Sequence, residues 1–277
     1  MDSGLPEAPY DLLTRMIVVS PNALGPVNAL VRRVCADTMS LPALPSDSAA
    51  SDDAAVRDFA EQFAADVSSM SDAQRGAFLA ATGNDAFTVT ACVFIADFVP
   101  RVSAGLSALG LPAIPEPAGR DHDEEPIDLV LNRFAPMVGA MRALDPVTTE
   151  VVRLRGAVQH ACRLCKSLRE GAALDAGGTE SMYDDIESYD TSELLEERHR
   201  AALRFVDALT WTPSRIQPDV AAGVHEHFTA GEALELTLDV MRNAANKIAV
   251  ALAADAPRVA EGTERYLLGT DGQPVYA

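Results

Sequence analysis

Apolar residues recur at intervals of three and four along most of this chain, a period that builds helices and little else. The pattern is clearest at Val56, Phe59, Ala60, Phe63, Ala64 and Val67. Alanine is abundant and aromatic residues make up only 5%, a balance that suits closely packed helices better than sheets. No convincing run of strands and no internal repeat emerges. The expected fold class is all-α.

Helix breakers divide the pattern. Residues 1–53 read as an arm, a helix and a linker: 1–24 are irregular around Pro6, Pro9 and Pro21, a helix runs from about Pro26 to Asp37, and 40–53 form a surface loop. Residues 54–111 form an N-terminal helical half. There Ser71 to Gln74 make a capping box, Gly83 stops that helix, and Asn84 or Asp85 caps an apolar one ending near Pro100. A last helix spans Arg101 to Leu109. Pro112, Pro115, Pro117 and Pro126 mark 112–126 as a Pro-rich linker and the best internal boundary.

Residues 127–256 are the larger helical half. Pro136 kinks or starts a helix, and Asp145-Pro146 cap the one that carries Glu150. A further helix is expected through Cys165, Leu168 and Ala172 to Gly177-Gly178. Residues 179–192 read as a solvated acidic loop, Glu193 to Trp211 as a helix, Pro218 to Phe228 as a short one, and Glu232 to Ala254 as a long one. The tail, 257–277, is expected to lie extended over the surface.

With 22 basic and 41 acidic side chains the net charge is −19, which disfavours nucleic acid and anionic membrane surfaces as partners. No stretch reads as approaching the ~20 apolar residues of a membrane span, and the start lacks a secretory pattern. The expected location is cytoplasmic. In that compartment a Cys-x-x-Cys pair is redox-active or metal-binding rather than a structural staple.

Cys162 and Cys165 form that pair. At i and i+3 on the first turn of a helix two cysteines share a face, and the helix N-terminus favours the thiolate. Arg163, Lys166 and Arg169 add positive charge nearby. Glu150, on an otherwise apolar stripe, lies ~18 Å from Cys162 if one helix joins them. A turn near 159–160 would instead set Glu150 opposite Arg169, making a row of carboxylate, guanidinium and thiolate. His160, at that turn, is the nearest candidate base. A zinc site normally takes four ligands, and no second CxxC or HxxxH spacing supplies them. Cys35 and Cys92 read as core, His225 and His227 as surface.

Glu150-(eleven residues)-Cys162-x-x-Cys165, followed by a helix ending in Ala-x-x-Ala-Gly, resembles the carboxymuconolactone decarboxylase-like superfamily, most closely its alkylhydroperoxidase D-like branch. The segments Arg198 to Thr210, His227 to Leu238 and Asn243-Ala-Ala-Asn-Lys247 are similar to peroxidase-related members, and Phe98 to Leu109 more weakly to fused ones. The resemblance implies a multi-helical bundle with an added N-terminal half, a homo-oligomer, and no metal or organic cofactor. It implies a peroxidase or disulfide oxidoreductase acting on a small hydroperoxide and reduced by a thiol or dithiol donor. Cys165 would be the attacking thiol, Cys162 the resolving thiol and Glu150 a distal proton-relay group. The family motif continues Cys-x-x-Cys-x-x-x-His, and that histidine position is Arg169 here. Arginine cannot serve as a base, so the expectation is a thiolate held by charge.

Two other classes fit the same residues: a decarboxylase or lactone-processing enzyme on the same scaffold, and a helical assembly protein with incidental thiols. Asn243, Asn246 and Lys247 read as helix-packing or inter-helix hydrogen-bond groups, and Glu150 as a buried ion-pair partner of Arg169 or a proton relay.

Overall fold

The computed structural model describes residues 4–119 and 122–276. Met1–Ser3 of the N-terminal arm, Arg120 and Asp121 of the Pro-rich linker and Ala277 of the tail lie outside the described residues.

The first helices are α1 (Ala8–Val18), α2 (Gly25–Met39), α3 (Ala54–Asp66), α4 (Asp72–Thr82) and α5 (Ala86–Ala108). Helix α1 falls where the prolines suggested irregular chain. Pro9 sits in its first turn, where a missing N–H costs nothing. Ser71 and Gln74 form the expected capping box on α4.

Helix α5 is the axis of the fold. It does not end near Pro100 but runs through it to Ala108, with Pro100 buried inside. Nearly every side of α5 is covered, so packing on all faces outweighs the one hydrogen bond the proline removes. The stretch Asp72–Ala108 is, among the described residues, long and apolar enough to cross a membrane. That overturns the sequence expectation, but 89% of its most apolar window is buried within the fold as core. Gly105 lets the later helix that carries Leu209 cross closely: a Cβ there would meet Leu209 Cδ1 at 2.9 Å.

A π-helical turn, Asp128–Phe134, leads into α6 (Ala135–Gly139), with Pro136 in its first turn. Helix α7 (Pro146–Gln159) is capped by the Asp145 carboxylate, which accepts the Thr148 N–H at 2.9 Å. The expected helix through Cys165 to Gly178 is not formed. The chain breaks into α8 (Arg163–Lys166), strand β1 (Leu168–Glu170) and α9 (Gly171–Asp175). Strand β1 exists because the tail pairs with it, a partner 96 residues away (Leu168 with Glu264) that local periodicity cannot announce.

Residues 180–191 are not simply solvated. Helix α10 (Glu180–Asp184) and the 3-10 turns after it turn their acids outward and bury Tyr183, Ile186 and Tyr189 against Val151, Leu154 and Leu203. Helix α11 (Glu197–Trp211) starts later than expected because Glu196 is its extended N-cap. Helices α12 (Pro218–His227), α13 (Ala230–Ala244) and α14 (Asn246–Ala251) follow, the last two being the expected long helix divided at Ala245. One apolar core runs through both halves, from Leu13 and Phe59 to Phe205 and Met241.

The tail is a hairpin, not an extended surface strap. Strands β2 (Glu264–Leu268) and β3 (Pro274–Tyr276) pair antiparallel, and β2 pairs parallel with β1. The turn packs on α6 through Gly272, whose φ of 76° is left-handed and whose added Cβ would strike the α6 backbone. The fold is thus mostly α-helical, with one small sheet laid beside the two cysteines.

Candidate functional site

Helix α7 ends in a reverse turn that sets both thiols. Ala161 adopts φ 53°, and its N–H bonds the Val158 carbonyl at 3.0 Å while the Cys162 N–H bonds Ala157 at 3.0 Å. This is a Schellman motif with alanine in the left-handed position that glycine usually takes. The strain of a β-carbon there is of order 1–2 kcal/mol. Ala161→Gly is therefore expected to raise unfolding stability by about 1 kcal/mol, after glycine's entropic penalty. Urea denaturation would show it as a higher midpoint at unchanged slope.

Cys162 is the N-cap of α8, and its sulfur accepts the Cys165 N–H at 3.2 Å. It is fully buried, whereas Cys165 is partly exposed and lines a cavity. The two thiols are driven apart electrostatically. The Cys165 thiol is lowered to about 7, first by its hydrogen bond with Cys162, then by Arg153 and Asn246, against an opposing effect of burial. Cys162 is pushed strongly upward by the same hydrogen bond and by burial. Cys165 is the thiol that ionises first, and Cys162 holds its proton. Cys35 and Cys92 lie in the core as expected, with burial raising both thiols, Cys92 to about 12.

Glu150 is buried but does not face Arg169. Its carboxylate holds Arg153, one turn along α7, at 2.6 and 2.7 Å, and accepts the Glu170 N–H at 3.1 Å. Arg153 then donates to the carbonyls of Cys165 (2.9 Å) and Leu168 (2.8 Å) and lies over the Tyr266 ring. The cation that lowers Cys165 thus comes from α7. Arg169 instead reaches Glu180, at 3.0 Å from Nε to each carboxylate oxygen, and packs over Tyr183. The expected carboxylate–Arg169–thiolate row does not form, because β1 turns Arg169 away from α7. Arg163 is taken up by Asp255 at 2.7 Å.

His160 is buried and is no base for the thiol. Burial first, then the Lys247 charge, lower it to about 3. Its Nδ1 stands 2.9 Å from the Asn246 side-chain oxygen. That oxygen can only accept, so Nδ1 carries the hydrogen. The Asn246 amide in turn donates to Cys165 Sγ at 3.4 Å. His160 therefore orients an amide on the sulfur and reaches it only through Asn246.

Two groups at the site were not singled out for it from the sequence. Arg153 was readable as an i,i+3 partner of Glu150. Asn246 stood in a recognised segment but was assigned to packing, and only the placement of α14 beside α8 shows its contact with sulfur.

Cys165 forms part of the wall of a cavity of about 550 Å³, with Leu131, Leu168, Ile248, Leu252 and Tyr266 among its lining. The tail hairpin supplies one side of it through Tyr266, Leu268 and Tyr276. Fold and site define a helical protein with a CxxC thiol pair at the wall of an apolar cavity. The chain is 52% identical to the uncharacterized proteins Rv2313c and MT2376 of Mycobacterium tuberculosis, strains H37Rv and CDC 1551, over 281 residues covering 98% of this chain and 99% of each relative. It belongs to their family. No family model and no solved structure matches it.

Proposed function

We propose that this protein is a thiol-dependent peroxidase of the alkylhydroperoxidase D-like branch of the carboxymuconolactone decarboxylase-like superfamily, working in the cytoplasm. The observation that carries the reading is the division between the two thiols: Cys165 accessible, on a cavity and acidified, Cys162 sealed beneath it and protonated. The Cys165 thiolate attacks one peroxide oxygen. A sulfur–oxygen bond forms, the oxygen–oxygen bond breaks, and the departing alkoxide takes a proton to leave as alcohol. Cys162 then attacks the sulfenic sulfur, closing a disulfide and releasing water. An external dithiol restores the pair by exchange. Arg153 and Asn246 hold the thiolate in the role that the family motif gives to a histidine.

The test is a single turnover. Fully reduced protein treated with one equivalent of cumene hydroperoxide is expected to lose the thiols of Cys162 and Cys165 as a disulfide, with Cys35 and Cys92 still free. Cys162→Ser should stop at a dimedone-trappable sulfenic acid on Cys165, and Cys165→Ser should not react. The oxidation rate should rise with pH about a midpoint near 7, below the ~8.5 of a free thiol. Peroxide that leaves Cys165 reduced, or a midpoint near 8.5, rules the proposal out.

A further inference from the structure

We infer that the preferred substrate of this site is an organic hydroperoxide that also carries a carboxylate, seated on Arg242 and Asn243 while its peroxide meets Cys165. The inference rests on the peroxidase reading and adds the substrate's chemical class. Among the described residues no Asp or Glu lines the thiol cavity, in a chain with 41 acidic against 22 basic side chains. Its polar lining is cationic or neutral: Arg153, Arg242, Asn243 and Asn246, with Cys165 and two tyrosines.

Two of these groups are already engaged. Arg153 binds the Glu150 carboxylate twice and two main-chain carbonyls besides. Asn246 spans His160 and Cys165. The other two retain unused donors. The Asn243 side-chain NH2 is buried with no acceptor, a state that ordinarily costs stability and marks a place for a missing partner. Arg242 meets the Asp239 carboxylate through Nη1 at a long 3.3 Å. Asp239 and Glu235 lie on the far side of Arg242, in a neighbouring cavity, where burial pushes both carboxyls up, Glu235 to about 7.

Spacing joins the two ends of the ligand. Arg242 and Asn243 stand four and three residues before Asn246, across the Ala245 break between α13 and α14, and all three line the one cavity with Cys165. A compact molecule with a carboxylate at one end, an apolar body and a peroxide at the other spans that interval. Leu131, Leu252 and Tyr266 contact the body. A neutral hydroperoxide would leave the Asn243 donor and the Arg242 charge as they are.

The probe is cumene hydroperoxide bearing a para-carboxylate, compared with its methyl ester in single-turnover oxidation of reduced protein. Below saturation the acid is expected to oxidise Cys165 roughly ten- to a hundredfold faster than the ester, the range of one charge-assisted hydrogen bond. Arg242→Gln should bring the ratio close to one, and Arg242→Lys should recover part of it. Equal rates for acid and ester in the unmodified protein overturn the carboxylate seat and leave the peroxidase reading standing. If neither compound oxidises Cys165, the peroxidase reading fails. The seat is then decided by calorimetry with unreactive para-isopropylbenzoate, which should bind at least tenfold tighter than its methyl ester; equal affinity refutes it.

Discussion

Asp97→Ala is expected to cost at least about 3–5 kcal/mol, the usual penalty for breaking a buried ion pair and leaving its charge uncompensated. Asp97 is the buried anion that serves two buried cations, Arg101 at 2.7 Å and Lys247 at 2.6 Å. Whole domains are stable by only about 5–15 kcal/mol, so the variant should sit close to unfolding. The two cations would respond differently. Arg101 also holds carbonyls, including Ala64 at 2.8 Å. Lys247 otherwise lies over the rings of Phe63 and Phe98, and burial already lowers its pKa. Without Asp97 it should fold neutral, so the native state binds fewer protons than the unfolded chain below the lysine's ordinary value. Stability of the variant should therefore rise as pH climbs toward about 10. Urea midpoints across pH measure both effects, and a variant within about 1 kcal/mol of the parent refutes the first. The cluster matters to the thiols because Lys247 follows Asn246 directly: the anchored lysine fixes where the amide meets Cys165.

The elements that were legible in the sequence are those whose instructions are local. Val56, Phe59 and Phe63 mark the buried face of α3, Ser71 and Gln74 cap α4, and Asp145-Pro146 starts α7, each within a few residues. What was illegible depends on distant chain. Pro100 reads as a stop until α2, α11 and α13 are seen closing around α5. Leu168–Glu170 becomes a strand only because Glu264–Tyr266 lies beside it. Tyr183, Ile186 and Tyr189 recur every third residue, a 3-10 period hidden among acids.

The candidate site divides in the same way. The CxxC, its distance from Glu150 and the turn between them could be read from spacing. The partner of Glu150 could not be settled that way, because two arginines were within reach of an unplaced turn. A hinge at 159–160 sets Arg169 opposite Glu150, but the β1 geometry carries it to Glu180. Asn246 lies 81 residues from Cys165, and no pattern within either segment predicts that an amide N–H will meet that sulfur.

Glu150→Gln and Arg153→Met should both destabilise the protein, by about 3–5 kcal/mol each, because either leaves the other's charge buried without its partner. Their effects on Cys165 should be opposite. Glutamine removes the negative charge that offsets Arg153, so more positive potential falls on the sulfur and the thiol pKa should drop below about 7. Methionine removes the cation itself, together with the donor to the Cys165 carbonyl, so the thiol should rise toward its ordinary value. A shift of one unit corresponds to about 1.4 kcal/mol, and opposite charges at close range typically move a pKa by roughly 1–3 units. The pH dependence of iodoacetamide alkylation, followed at Cys165 by peptide mapping under conditions where each variant stays folded, reads both values. General loosening of the turn would expose the sulfur and move the two variants in the same direction. Opposite signs would therefore show that Glu150 and Arg153 act on Cys165 as a charge pair as well as a support for α7. Movement in one direction would reduce them to support alone, leaving the hydrogen bonds from Cys162 and Asn246 to account for an acidic thiol.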